Sequence, residues 1–282
     1  MATQTTNYGL TKPSYNETAD IGVINSNMDI IDAKIKENAD NVSTLATEVD
    51  EIDNRVNNNT RRTRRNITSD LANLPTAIAE QDLAKYGYAI GDYFVGASGY
   101  YYYLADMDTN YGGYNNYAIV NTHHCGIVVD TKSTCQWLSE GSVKNYSSST
   151  LHSFLTNTAL PNIKSDIATL FGDWESHLLK RTELDNAIGG WGTIGDCLIC
   201  AMTEAQMHGS RVFGADGHQT GTGSKALELF RKYRFNEIYG STNVWLKSLF
   251  STSNACAAYG SGNTDYNSVD ASYRASGLIL FH

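Results

Sequence analysis

Residues 244–282 read "VWLKSLFSTSNACAAYGSGNTDYNSVDASYRASGLILFH", and the reading of this stretch decides the fold. Three short apolar runs, VWLKSLF, ACAAYG and ASGLILF, are separated by clusters of Ser, Asn, Asp and Gly, which is the pattern of strands joined by turns. The same texture extends upstream to residue 86, with strand candidates DYFVG, GYYYYLADM, YAIVN, CGIVVD and DCLICAM. Helical patterns interrupt it. SSTLHSFLTNTAL opens on a cluster of N-cap residues and puts Leu151, Phe154 and Leu155 on one face, and SKALELFRKY repeats the device with Leu227 and Phe230. Residues 86–282 are therefore expected to form an α+β domain with a mixed, mostly antiparallel sheet.

Toward the N-terminus the period changes. From Ile24 the apolar residues step by four and three, with Met28, Ile35, Val42, Val49 and Val56 at a positions and Ile24, Ile31, Leu45 and Ile52 at d. A helix lying on its own domain would carry a wider apolar face. So narrow a seam over residues 21–66 predicts a coiled coil that joins copies of the chain, with a core of roughly 50 Å. β-branched a positions with Leu at d favour dimers, whereas Ile at a and d favours trimers; a homotrimer is the expectation taken here. Asn38 and Asn59 fall at d, where a polar group fixes register at some cost in stability. Residues 67–85 read as a linker helix kinked at Pro75. Residues 1–20 hold only scattered apolar groups and are expected to need a partner to order them.

Composition narrows the function classes. A net charge of -9 argues against a basic nucleic-acid footprint. No run approaches the ~20 apolar residues of a membrane span. The 18 tyrosines and 24 glycines, with abundant Ser and Asn, favour recognition, because Tyr offers large contact area at low entropic cost. Five cysteines, Cys125, Cys135, Cys197, Cys200 and Cys256, make a poor disulfide framework and read as free thiols. Cys197 and Cys200 have C-x-x-C spacing but no nearby second pair, so they read as small buried residues of an apolar strand rather than zinc ligands. GHQTGTGSK lacks the glycine before its lysine that a P-loop needs. DMDTNYGGYNNY starts like a calcium loop but has Tyr111 at the turn position and Tyr117 where the bidentate acid belongs. No cofactor and no metal are expected, and no local constellation of acid, base and nucleophile marks an enzyme.

Two stretches carry a resemblance. NYGLTKPSYNETADIGVINSNMDIIDAKI, residues 7–35, resembles the N-terminus of tail and baseplate proteins of phages that infect Gram-positive bacteria, where an N-Y-x-L-x-K-P tag precedes IxxINxNMDxIDxxI. WLSEGSVKNYSSSTLHSFLTNTALPNI, CAMTEAQMHGS and the closing segment from Asn243 are similar to the C-type-lectin-like domains of phage and bacterial surface proteins, including variable proteins of diversity-generating retroelements. In that family a tryptophan-led strand, here Trp245 to Ser248, enters a variable Asn/Tyr/Ser-rich segment, and the chain closes on a G-[VL]-x-x-x-F strand, here Gly277 to Phe281. This chain departs by carrying Ile279 and Leu280 where arginine and proline are usual. It also lacks the E-P-N, Q-P-D and W-N-D strings of calcium-dependent sugar binding.

The resemblance implies a non-enzymatic receptor-binding protein at a virion tail tip, recognising a bacterial surface glycan or protein. Residues 1–20 would dock into tail or baseplate proteins, residues 21–66 would hold the copies together, and residues 86–282 would be the head. The alternatives are a structural baseplate part without receptor contact and a depolymerase of surface polysaccharide. Receptor contacts are expected on exposed loops after VWLKS, at Asn254, Tyr259, Asn263, Asp265, Tyr266, Asn267 and Tyr273, with YYYYLADMDTNYGGYNNY next in line.

Overall fold

The computed structural model describes residues 3–12, 14, 20–60, 63–107, 124–139, 145–187, 190–209 and 226–282, without the side chains of 55, 57–60, 186–187 and 190–191. The chain divides into two units, Met1–Arg55 and Val56–His282.

In the first unit, β1 (Thr3–Gln4) and β2 (Thr11–Lys12) pair antiparallel, ahead of a 40-residue helix α1 (Ile21–Thr60). Asn27 of α1 clasps the hairpin in both directions: its Oδ1 accepts from Thr11 N at 2.9 Å and its Nδ2 donates to Thr11 O at 3.0 Å. Residues 3–12 are thus tied to their own helix through Asn27. Asp20 caps α1, its Oδ1 accepting from Gly22 N at 2.8 Å. All nine expected seam residues are exposed, from 38% at Ile31 to 67% at Val42.

After the last turn of α1, the second unit carries α2 (Leu74–Ala79) and a 3₁₀ turn at Ala84–Tyr86. Pro75 occupies the first turn of α2. It starts that helix instead of kinking a longer one, since an N–H is not needed there. Ile67, Leu71, Leu74, Ala77, Ile78 and Leu83 are buried in the same core as the strands.

β3 (Tyr93–Val95), β4 (Tyr101–Met107) and β5 (Cys125–Gln136) follow. The next helix, α3 (Thr150–Phe154), passes through a π turn at Leu155–Ala159 into α4 (Leu160–Phe171). Ser149 caps α3 through Oγ, accepting from His152 N, as the sequence predicts. Pro161 follows two residues after the end of the π turn, and its missing N–H breaks the regular i→i−4 ladder. β6 (Arg181–Ala187) and β7 (Gly190–Cys197) form a separate two-stranded sheet. Three short helices, α5 (Glu204–His208), α6 (Glu228–Lys232) and α7 (Phe235–Tyr239), lead to β8 (Val244–Leu249), β9 (Asn254–Ala258), β10 (Thr264–Ser268) and β11 (Ser272–Phe281).

The main sheet has seven strands in the order β10-β9-β8-β11-β5-β4-β3, antiparallel throughout except between β8 and β11. An α+β fold with a long N-terminal helix and a mixed, mostly antiparallel sheet is therefore present. β11 is central, and Ile279 and Leu280 are fully buried in it. Gly277 is needed where it stands, because a Cβ there would lie 2.6 Å from Ile199 Cγ1. Two tryptophans span the centre. Trp137 Nε1 donates to Leu246 O at 2.8 Å, and Trp245 Nε1 donates to Cys135 O at 2.9 Å.

Two strand expectations change. DCLICAM is not one continuous strand: β7 ends at Cys197 and Cys200 makes only an isolated bridge to Leu278. Residues 264–268, expected as loop, form β10 on the sheet edge, because a polar edge strand needs only one apolar neighbour and one paired side. YAIVN, GHQTGTGSK and most of DMDTNYGGYNNY lie outside the described residues.

Candidate functional site

The candidate surface is built on the β8–β9–β10 meander at the sheet edge. β10 pairs with β9 in the register Thr264↔Ala258 through Ser268↔Asn254, so alternate residues of β10 point to opposite faces. Thr264 and Tyr266 share one face with Cys256, the residue opposite Tyr266. Asp265 and Asn267 share the other face with Ala257 and Ala255.

The first face carries aromatics. Tyr266 is exposed and stacks on exposed Phe250, with ring centroids 4.0 Å apart and planes at 9°. Thr264 bonds to His208 Nε2 of α5, which ties this face to the helices. There, a cavity of about 420 Å³ opens beside the β9–β10 turn. Buried Met207 and Phe235 with half-buried Phe230 make its floor, and exposed His208, Arg234 and Asn236 stand at its rim. Ser261 and Gly262 close it from the turn. Burial lowers the His208 pKa below the ordinary histidine value, with Glu204 acting in the opposite sense. A volume of this order, with an apolar floor and a few polar groups, suits a small ligand or one unit of a polymer.

On the second face the expected residues do structural duty. Asn267 Nδ2 donates to Tyr259 Oη at 3.1 Å and to Tyr273 Oη, and Tyr273 packs on buried Trp245 with ring centroids 4.6 Å apart. Asn254, opposite Ser268 on the first face, is half-buried and its Nδ2 donates to Ser251 Oγ at 3.3 Å. Asn263 and Asp265 are exposed, Asn263 at the hairpin turn and Asp265 on the strand. The seven expected residues thus do not converge: Tyr266 faces one way, and the Tyr259–Asn267–Tyr273 trio faces the other. Phe250 and the cavity residues were not anticipated. Phe250 had a usable signal, an aromatic at the end of a strand against a polar turn. The cavity had none, because its walls come from four separate segments.

At the opposite edge of the sheet, Tyr93, Tyr101 and Tyr103 stack in a ladder, with Tyr93–Tyr101 centroids 5.5 Å apart. Lys132 Nζ lies 4.1 Å from the Tyr101 ring centroid. No three His, Cys, Asp or Glu side chains come together as a metal site among the described residues. No described helix is long and apolar enough to cross a membrane. Comparison with protein-family models, with curated proteins and with solved structures gives no match.

Proposed function

We propose that the chain is a receptor-binding protein of a phage tail tip, self-associated through α1 and attaching the virion to a bacterial surface glycan or protein with a C-type-lectin-like head. The observation that carries this reading is the exposed seam of α1, nine apolar side chains at heptad spacing on one helix. An exposed apolar stripe of that length, interrupted at Asn38, calls for a partner, and a helix of the same kind satisfies its spacing. The parallel trimer is the favoured assembly. Several weak heads held together gain avidity by roughly 10²- to 10⁴-fold when they can engage at once.

The Phe250–Tyr266 stack and the neighbouring cavity are the favoured contact surface. Flat aromatic faces cover sugar rings, and the guanidinium and amide groups at the rim hydrogen-bond hydroxyls or acids. Residues 1–20, with the hairpin clasped by Asn27, would be the element presented to tail or baseplate proteins.

The test is adsorption of the purified protein to intact bacteria and to their isolated surface polysaccharide, comparing the wild type with the Phe250→Ala, Tyr266→Ala double variant. Binding by the wild type and its loss in a folded double variant is the expected result. A wild-type protein that binds no cells would favour the structural baseplate part, and release of oligosaccharides from the polymer would favour the depolymerase.

A further inference from the structure

The cavity beside the β9–β10 turn is one-sided in charge. The ionisable side chains on its walls are His208 and Arg234, and no carboxylate lines it. In a chain with a net charge of -9 this is a local reversal of sign. The carboxylate nearest in sequence, Glu237, is engaged with the backbone: its Oε2 accepts from Arg234 N at 2.5 Å at the start of α7. Elsewhere Arg65 pairs with Asp70, Arg181 with Glu183 and Arg274 with Asp130. The Arg234 guanidinium has no such ion pair among the described residues.

Two more polar side chains on the walls, the Asn236 amide and the Ser261 hydroxyl, also have no hydrogen-bond partner among the described residues. His208 differs, because its Nε2 is bonded to Thr264 Oγ1. Burial holds its pKa below the ordinary histidine value, so the imidazole is neutral at pH 7 and the walls carry one positive charge. Beneath these groups lie the rings of Phe230 and Phe235.

We infer that the cavity takes a monoanionic sugar unit, a pyranose ring bearing a carboxylate, held by its carboxylate on Arg234. A guanidinium matches a carboxylate with two parallel N–H···O bonds, and one cation balances one negative charge. A phosphate monoester, with nearly twice the charge, would be left half-matched. The C–H face of the ring packs on the phenylalanines, while the Asn236 amide and the Ser261 hydroxyl take ring hydroxyls. A volume of about 420 Å³ lies toward the small end of ligand pockets, as one unit of a polymer requires. This inference rests on the receptor-binding reading and narrows the receptor to an acidic glycan.

The test titrates the full chain calorimetrically with methyl glucuronide and with methyl glucoside, which differ only at the carboxylate carbon. Saturable binding of the glucuronide is expected, weaker at high salt, with the glucoside bound at least about tenfold more weakly. Arg234→Gln should lower glucuronide affinity roughly 10- to 100-fold, to the level of the glucoside, and Arg234→Lys should restore part of it, since lysine keeps the charge without the fork. Equal binding of the two sugars, no binding of either, or tighter binding of glycerol phosphate than of the glucuronide would overturn the inference. A folded Arg234→Gln protein that binds the glucuronide like the wild type would do the same. The comparison of sugars on the wild type decides the matter even where a variant does not fold. Adsorption to intact bacteria is scored separately. Cells bound by a protein that ignores the glucuronide overturn the acidic ligand and leave the receptor-binding reading standing, whereas glucuronide binding without adsorption overturns that reading and leaves the site.

Discussion

The Glu183 carboxylate answers to two buried cations at once, so its charge matters more than its size. Burial alone would raise its pKa, but Lys247 and Arg181 outweigh that and hold it below the ordinary carboxylate value. Glu183→Gln leaves both cations without a counter-charge and is expected to cost about 3–5 kcal/mol, measured by urea denaturation. His152 makes a different prediction. It packs on Tyr146 with ring centroids 5.0 Å apart, and its buried Nδ1 has no hydrogen-bond partner among the described residues. Burial lowers its pKa, as it does for His208 and His282. The folded state then binds fewer protons than the unfolded one below roughly pH 6.5, so stability is full above that value and falls as the pH drops toward the folded pKa. A melting temperature that declines over this window, and declines less in His152→Phe, is the expected outcome. None of this was legible in the sequence: Glu183 and His152 look like ordinary surface residues until β6 is folded against β8 and α3 against β5. Tyr266 was legible, because turn residues flank it, whereas its partner Phe250 comes from another strand.

At the scale of elements, α1 was legible and so was its exposed face, because a heptad seam depends only on spacing along one helix. Replacing Ile31 and Ile52 by Asp puts charges into two layers of the seam, and light scattering is expected to change from oligomer to monomer. An unchanged mass would remove α1 as the assembly element. Strands β3, β4, β5, β8, β9 and β11 were readable as apolar runs between turn residues. β6 and β10 were not. RTELDNA and TDYNS are polar strings, and their strand character comes from partners that sequence does not reveal: β7 for the first and β9 for the second. DCLICAM misleads in the other direction. Its apolar residues are buried, but they leave β7 after Cys197 to pass close over Gly277 and meet β11 at the isolated Cys200–Leu278 bridge.

For the whole molecule, the α+β class followed from local texture, whereas the strand order did not, since it brings β11 between β5 and β8. That order has a mechanical consequence. Asn66 bridges Tyr93 at the β3 edge, and Tyr266 sits on β10 at the opposite edge. A pull applied between residue 65 and Tyr266 therefore crosses every strand of the sheet in series. The seam least able to bear it is β8–β11, parallel and in register at Arg274↔Val244 alone. The two indole bonds step over this seam, tying β8 directly to the end of β5. Trp137→Phe removes one of them at a cost of about 1–2 kcal/mol. In single-molecule pulling from residues 65 and 266 it is expected to lower the rupture force, while a pull on α1 alone stays unchanged. The paired tryptophans thus act as a tensile splice across the parallel seam, so that load entering at one edge of the sheet passes to the other without resting on that seam alone.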